Sequence, residues 1–211
     1  MDFAVNILAL GIPFSVALLL ASLGEMFNQR AGVFNLGCEG IMAMGAFLGM
    51  LVPYGAGHGA PVPGTFNVLG LLLAMAVGAL LGLLFGLAVV TFRAPQGIAG
   101  IGLQMFGVGT AGTLFRHFVG GTQSVPGIDR LPIPVLSDIP FIGPVLFSHN
   151  PLVYLTFLLV PAAWYILFRT PWGLRVRASG ANPRAADSVG IRVNLVRFQA
   201  LAVGGALAGL A

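Results

Sequence analysis

The sequence predicts an all-α, polytopic transmembrane helix bundle, and both its composition and its recurring apolar segments support that fold class. Hydrophobic residues make up 57% of the 211 residues and charged residues only 8%, and the mean hydropathy is +0.97. A soluble domain carries roughly 25% charged residues. This chain therefore has too few polar side chains to cover its surface in water.

The apolar segments predict the number of spans, because a helix needs roughly 20 apolar residues to cross the hydrocarbon core. Five segments reach about that length, with approximate bounds 5–24, 33–52, 67–92, 98–118 and 151–168. No basic residue precedes the first segment and further spans follow it, so it is interpreted as a retained span rather than a signal peptide. A sixth segment begins near Phe198 and reaches Ala211, about 14 residues or about 21 Å. The sequence thus predicts five complete spans plus a truncated sixth.

The placement of arginine predicts the orientation, because short cytoplasmic loops carry an excess of basic residues. The chain has no lysine, and segment 169–197 holds six of its ten arginines against one acid. If that segment is cytoplasmic, Arg30 and Arg93 also fall inside, while 53–66, 119–150 and the N-terminus fall outside. Eight arginines are then cytoplasmic, whereas the opposite topology places all eight outside.

The predicted outer loop, 119–150, contains five prolines. Repeated proline excludes a long regular helix, so a compact segment against the outer face is expected. It either covers the helices or provides a docking surface for an extracytoplasmic partner, and the sequence leaves both open.

Several kinds of chemistry are excluded by residues that the sequence lacks. A P-loop requires a lysine, which the chain does not have, so it cannot hydrolyse ATP by that route. The three histidines lie far apart without a metal-binding H-E-x-x-H motif, and no G-x-S-x-G elbow occurs. The arginines lie between apolar segments without interleaved aromatic residues, which argues against nucleic-acid binding. We expect no catalytic residue, metal or cofactor.

Polar residues within predicted spans are candidates for a substrate pathway, since such groups usually face a bundle interior or a cavity. The candidates are Asn35, Glu39 and Gln104. Asn35 and Glu39 are four residues apart and face one side if that stretch is helical. Two interpretations remain open: Glu39 pairs structurally with Asn35, Arg30 or nearby backbone groups, or it lines the pathway.

Small residues recur every four positions in the third segment, and this pattern predicts close helix packing. The stripe comprises Ala74, Gly78, Gly82 and Gly86, and the pairs Gly45/Gly49 and Gly205/Gly209 repeat the spacing. We interpret these positions as packing surfaces.

Segment 169–197 carries the most specific pattern in the chain. Asn182 can cap a helix that has Pro183 at its first position, where a missing N–H is tolerated. Gly190 is placed to end that helix after about two turns. The alternative is a solvated basic connection that only sets topology.

Two stretches resemble a known family. Residues 172–191 read W-G-L-R-x-R-A-x-G-x-N-P-x-A-A-D-x-x-G-I, which resembles the coupling-helix loop of ABC importer permeases of the branched-chain amino acid, simple-sugar and nucleoside group. Residues 28–40 resemble the other diagnostic stretch of that family, especially in its nucleoside and simple-sugar branch. The resemblance covers essentially the whole chain and is weakest around 96–150.

The resemblance implies a partial permease domain over 1–211 in a bacterial or archaeal inner membrane. Two permease subunits form the pathway for a nucleoside or simple sugar, two cytoplasmic ATPases use the ATP, and an extracytoplasmic binding lipoprotein delivers substrate. Carried over by position, the residues that couple to the ATPase are Gly180, Asn182, Pro183, Arg184, Ala185, Ala186, Asp187 and Gly190. Arg184 and Asp187 are the first choices for interface contacts.

Two alternatives remain for the function. A secondary transporter would show two repeated halves with broken helices at matching positions, and no clear repeat is present. A membrane scaffold without transport would need neither an ATPase partner nor a pathway.

Overall fold

The computed structural model describes residues 2–57, 63–120, 128, 131 and 147–211. Within these ranges the chain is helical and no strand is formed, which confirms the all-α prediction. The helices are α1 (Asp2–Arg30), α2 (Cys38–Gly57), α3 (Gly64–Gly86), α4 (Gln96–Phe118), α5 (Pro151–Arg169), α6 (Pro171–Ala181), α7 (Pro183–Ser188) and α8 (Val193–Leu210). A π-helical turn, Leu87–Thr91, continues α3.

Six of these helices are long and apolar enough to cross a membrane, namely α1 to α5 and α8. Their bounds correct the predicted ones in two places. The sixth helix begins at Val193, five residues before the predicted start, and has 18 residues. The second begins at Cys38 rather than at residue 33, because the preceding stretch forms a turn.

Helix α8 lies at the centre of the bundle and packs against α1, α2 and α3. The α3–α8 contact is made by backbone: a Cβ on Gly78 would meet the carbonyl oxygen of Gly205, and a Cβ on Gly205 would meet that of Gly78. Gly45 of α2 lies in the same way against Gly209. The small-residue spacing therefore marks the surfaces along which three helices meet, as predicted, since glycine lets backbones approach closely.

Helix α6 was not predicted from the sequence. Thr170 caps its N-terminus by accepting a hydrogen bond from the Gly173 N–H at 3.1 Å, and Pro171 occupies the first turn. Gly173 lies against the carbonyls of Ile166 and Leu167, where a Cβ would not fit. The Thr170–Pro171 pair is an ordinary helix-start signal, and it could have predicted α6 from the sequence.

The predicted outer loop lies mostly outside the described residues, including all five of its prolines. Of its described residues, Leu131 donates its N–H to the His149 carbonyl at 3.0 Å, and the Tyr154 hydroxyl contacts both residues. The orientation across the membrane stays a prediction from the arginine distribution.

Candidate functional site

Helix α7 has the end signals that the sequence predicted. The Ala185 N–H donates to Asn182 Oδ1 at 3.1 Å, and Pro183 is the first helical residue. Gly190 has φ +84° and donates its N–H to the Asp187 carbonyl at 2.9 Å, while Ile191 donates to the Ala186 carbonyl at 3.1 Å. These two hydrogen bonds form a Schellman motif, which requires a left-handed residue that glycine adopts readily.

One face of α7 is anchored and the rest is exposed. Ala186 is only 4% exposed and is the buried residue of the helix, whereas Arg184, Ala185 and Asp187 are exposed. Val189, just after the helix, is 75% exposed. Two alanines of α7 are predicted to couple to the ATPase. Ala185 lies on the exposed face, whereas Ala186 packs against the rest of the protein and anchors the helix. Helix α7 is therefore a small, fixed projection with an accessible outer surface.

Helix α6 joins this projection to the ends of α1 and α8. Gly180 packs against the Arg30 carbonyl and Gly32, at a distance that only a glycine permits. The Trp172 Nε1–H donates to Gln199 Oε1 of α8 at 2.9 Å. A displacement of α7 would thus be transmitted through direct contacts to the turn between α1 and α2 and to the central helix α8.

The turn between α1 and α2, residues 31–37, is organised by Glu25. Its carboxylate accepts hydrogen bonds from Asn28 Nδ2 at 3.0 Å, from Gln29 Nε2 at 3.3 Å and from the Asn35 N–H at 3.0 Å. Asn35 is 4% exposed, and its Oδ1 accepts from the Gly37 N–H at 2.8 Å. This role of Glu25 was not predicted from the sequence, because its partner in the turn is a backbone N–H.

The condition under which Asn35 and Glu39 would share a helical face is not met, because residues 33–35 are not helical. Asn35 uses its side chain to close the turn before α2. The structure therefore separates Asn35 from the other two candidates for the pathway.

Glu39 and Gln104, in contrast, are brought together. Gln104 Nε2 donates to Glu39 Oε2 at 2.5 Å and so links α2 to α4. Gly40 and Gly107 allow this contact, since a Cβ on either would collide with the backbone of the facing helix. Glu39 is exposed and Gln104 is half-buried, so the pair is accessible from one side. Among the described residues, no group of three His, Cys, Asp or Glu side chains is placed to hold a metal.

Comparison with known proteins agrees with the resemblance. The family described as "Branched-chain amino acid transport system / permease component" matches residues 6–211. The guanosine ABC transporter permease protein NupQ of Bacillus subtilis (strain 168) is 37% identical over 98% of this chain and 66% of its own length. The nucleoside ABC transporter permease protein NupC of Lactococcus lactis subsp. cremoris is 33% identical over 93% of this chain and 62% of its own length.

The chain thus spans less than two thirds of the length of these two relatives. No solved structure matches it significantly. The family is one of transport permeases rather than enzymes, which agrees with the sequence analysis, and the six apolar helices are those of a multi-pass protein of the cell membrane. This chain belongs to the family of branched-chain amino acid transport system permease components.

Proposed function

We propose that this chain forms part of the permease subunit of an ABC importer that carries a nucleoside or simple sugar and is driven by a separate ATPase. The observation that carries this proposal is helix α7, a capped projection with one buried anchor and an exposed outer surface. The family supports the permease role, and the names of two relatives, a guanosine and a nucleoside permease, support the substrate class. A second permease subunit and an extracytoplasmic binding lipoprotein complete the proposed assembly.

The proposed coupling step is mechanical. Arg184, Ala185 and Asp187 would contact a groove on the ATPase, and closure of the ATPases on ATP would push α7 as a rigid body. Because α6 packs on Arg30 and Gly32 and bonds to Gln199, the push would reach the inner ends of α1 and α8. The spans would then tilt and switch access to the pathway. The charged contacts would chiefly set orientation, since rim charges often contribute little affinity.

The test of this proposal is co-purification combined with ATP depletion. We expect the protein, expressed with its proposed ATPase, second permease subunit and binding lipoprotein, to purify as a stable complex and to support uptake that stops when ATP is depleted. Uptake that continues without ATP would identify a secondary transporter. A protein that neither binds an ATPase nor supports uptake would be a scaffold, and either result would overturn the proposal.

The Glu39–Gln104 pair is the proposed polar contact of the pathway. Nucleosides and simple sugars both present neighbouring hydroxyl donors, which a carboxylate can accept, and an amide can donate to or accept from the same solute. The exposed carboxylate of Glu39 is already held in place by Gln104. Asn35 would support this site only indirectly, by shaping the turn before α2.

Replacing Glu39 with Gln is expected to raise the KM for uptake about tenfold, because a hydrogen bond to a charged group contributes roughly 1.5–3 kcal/mol. Thermal stability should change little, since the amide can still bond to Gln104. Glu25→Gln is the matched control: it removes a carboxylate from the turn and should lower the melting temperature while leaving KM unchanged. A Glu39→Gln variant with unchanged KM would remove Glu39 from the pathway.

A further inference from the structure

Three arginines surround two aromatic rings at the end of the bundle that carries α6 and α7. The guanidinium carbon of Arg30 lies 5.6 Å from the centre of the Phe168 ring, and that of Arg177 lies 5.0 Å from it. Arg169 lies 5.6 Å from the Trp164 ring, which is 6.2 Å from the Phe168 ring. We call these five residues the arginine–aromatic cluster; it joins α1, α5 and α6.

No carboxylate in the part of the chain that the structure describes balances the positive charge of this cluster. Within ranges 2–57, 63–120 and 147–211, none of the three arginines forms an ion pair with a carboxylate. Arg177 Nε is buried and has no hydrogen-bond partner among the described residues. Like charges gathered around two neighbouring rings repel one another, so an anion bound among the guanidinium groups would stabilise the arrangement.

The position of the cluster indicates the kind of anion. Helix α5 lies at the edge of the bundle, packed against α1 and α6, and Trp164 and Phe168 are 51% and 37% exposed on it. Tryptophan side chains such as Trp164 are typical of the membrane–water interface, where lipid headgroups lie. Guanidinium groups match phosphate oxygens in pairs, and basic pockets between spanning helices hold anionic headgroups.

We propose that the arginine–aromatic cluster binds the phosphate headgroup of an anionic membrane lipid, with the acyl chains along the exposed face of α5. The site lies beside α6, the helix that joins α7 to the bundle. It does not depend on the substrate or on the ATPase, so it can be tested independently of the proposed function. In the predicted orientation the lipid belongs to the cytoplasmic leaflet.

The test is native mass spectrometry of the purified protein with three lipids that share the same acyl chains. We expect phosphatidylglycerol to stay bound and to raise the melting temperature. We expect phosphatidylcholine, which has no net negative charge, neither to stay bound nor to raise the melting temperature. The same is expected of diacylglycerol, which has no phosphate. Equal retention of all three lipids would overturn the proposal. So would displacement of phosphatidylglycerol by inorganic phosphate, since that result would indicate a free-anion site.

Substitutions then locate the site. Arg30→Gln and Arg169→Gln, both at exposed positions, should each weaken phosphatidylglycerol binding about fivefold. Arg184→Gln on α7 removes the same charge without touching the cluster and should leave binding unchanged. Arg177→Lys keeps the charge of the half-buried arginine and should retain more binding than Arg177→Gln. If Arg30→Gln and Arg169→Gln bind as the wild type does, or if Arg184→Gln weakens binding equally, the lipid is held by general charge and the proposed site is wrong.

Discussion

Replacing Gly78 with Leu is expected to prevent α3 from docking on α8 and to abolish the folded bundle. A Cβ at Gly78 would lie 2.8 Å from Gly209 Cα and closer still to the carbonyl oxygen of Gly205. These are backbone atoms of another helix, and they cannot move away by a change of rotamer as a side chain could. Even Gly78→Ala should destabilise the protein by about 1–3 kcal/mol, the usual effect of overpacking. Thermal unfolding in detergent, followed by size-exclusion chromatography, measures both variants.

Gly109 provides the matched control for this prediction. It lies on α4, it is exposed, and a Cβ there would meet nothing within 4 Å. Gly109→Leu should therefore leave the melting temperature close to that of the wild type, although it adds the same side chain to another span. If Gly78→Leu melts at the same temperature as Gly109→Leu, the α3–α8 glycine contact does not hold the bundle together.

Replacing Ala185 with Trp is expected to uncouple transport from ATP hydrolysis in the proposed importer. Ala185 is exposed on α7, so a larger side chain would not disturb the fold but would occupy the surface proposed to meet the ATPase. An overpacked contact costs about 1–3 kcal/mol, which corresponds to roughly a fivefold to hundredfold loss of coupling. The measurement pairs substrate uptake with ATPase activity of the complex in the same vesicles.

Two further alanines make this prediction specific. Ala186→Trp should lower the melting temperature, because Ala186 is the buried anchor of α7. Ala56→Trp alters an exposed alanine near the end of α2 and should leave coupling and stability unchanged. Normal uptake per ATP in the Ala185→Trp variant would show that α7 is not the docking element.

The parts of the site that the sequence predicted are those made by neighbours in the chain. Hydrogen bonds that span no more than five residues confirm the cap at Asn182 and the stop at Gly190, and the helix begins at Pro183 as predicted. The span count and the small-residue packing surfaces were predictable for a related reason. Lipid exposure constrains the composition of every span, and close packing requires small residues.

The parts that were missed depend on contacts between distant segments. Gln104 bonds to Glu39 across 65 positions in sequence, and nothing local to either residue indicates the other. Asn35 was expected on the same face as Glu39 only if residues 33–35 were helical, whereas the Glu25 carboxylate and the Asn35 side chain together stabilise a turn there. A polar side chain within an apolar stretch is informative about burial but not about its partner.

The sequence by itself determined that this chain is a multi-span helical membrane protein and that a capped helix follows Asn182, because hydropathy and helix capping act over short distances. Only the tertiary structure decided that Ala185 faces outward while Ala186 faces inward, and that Glu39 meets Gln104. It also decided that Arg30, Arg169 and Arg177 gather around Trp164 and Phe168. Which face of a helix is covered depends on how the other helices pack against it, and that packing is set by backbone contacts between glycines far apart in the chain.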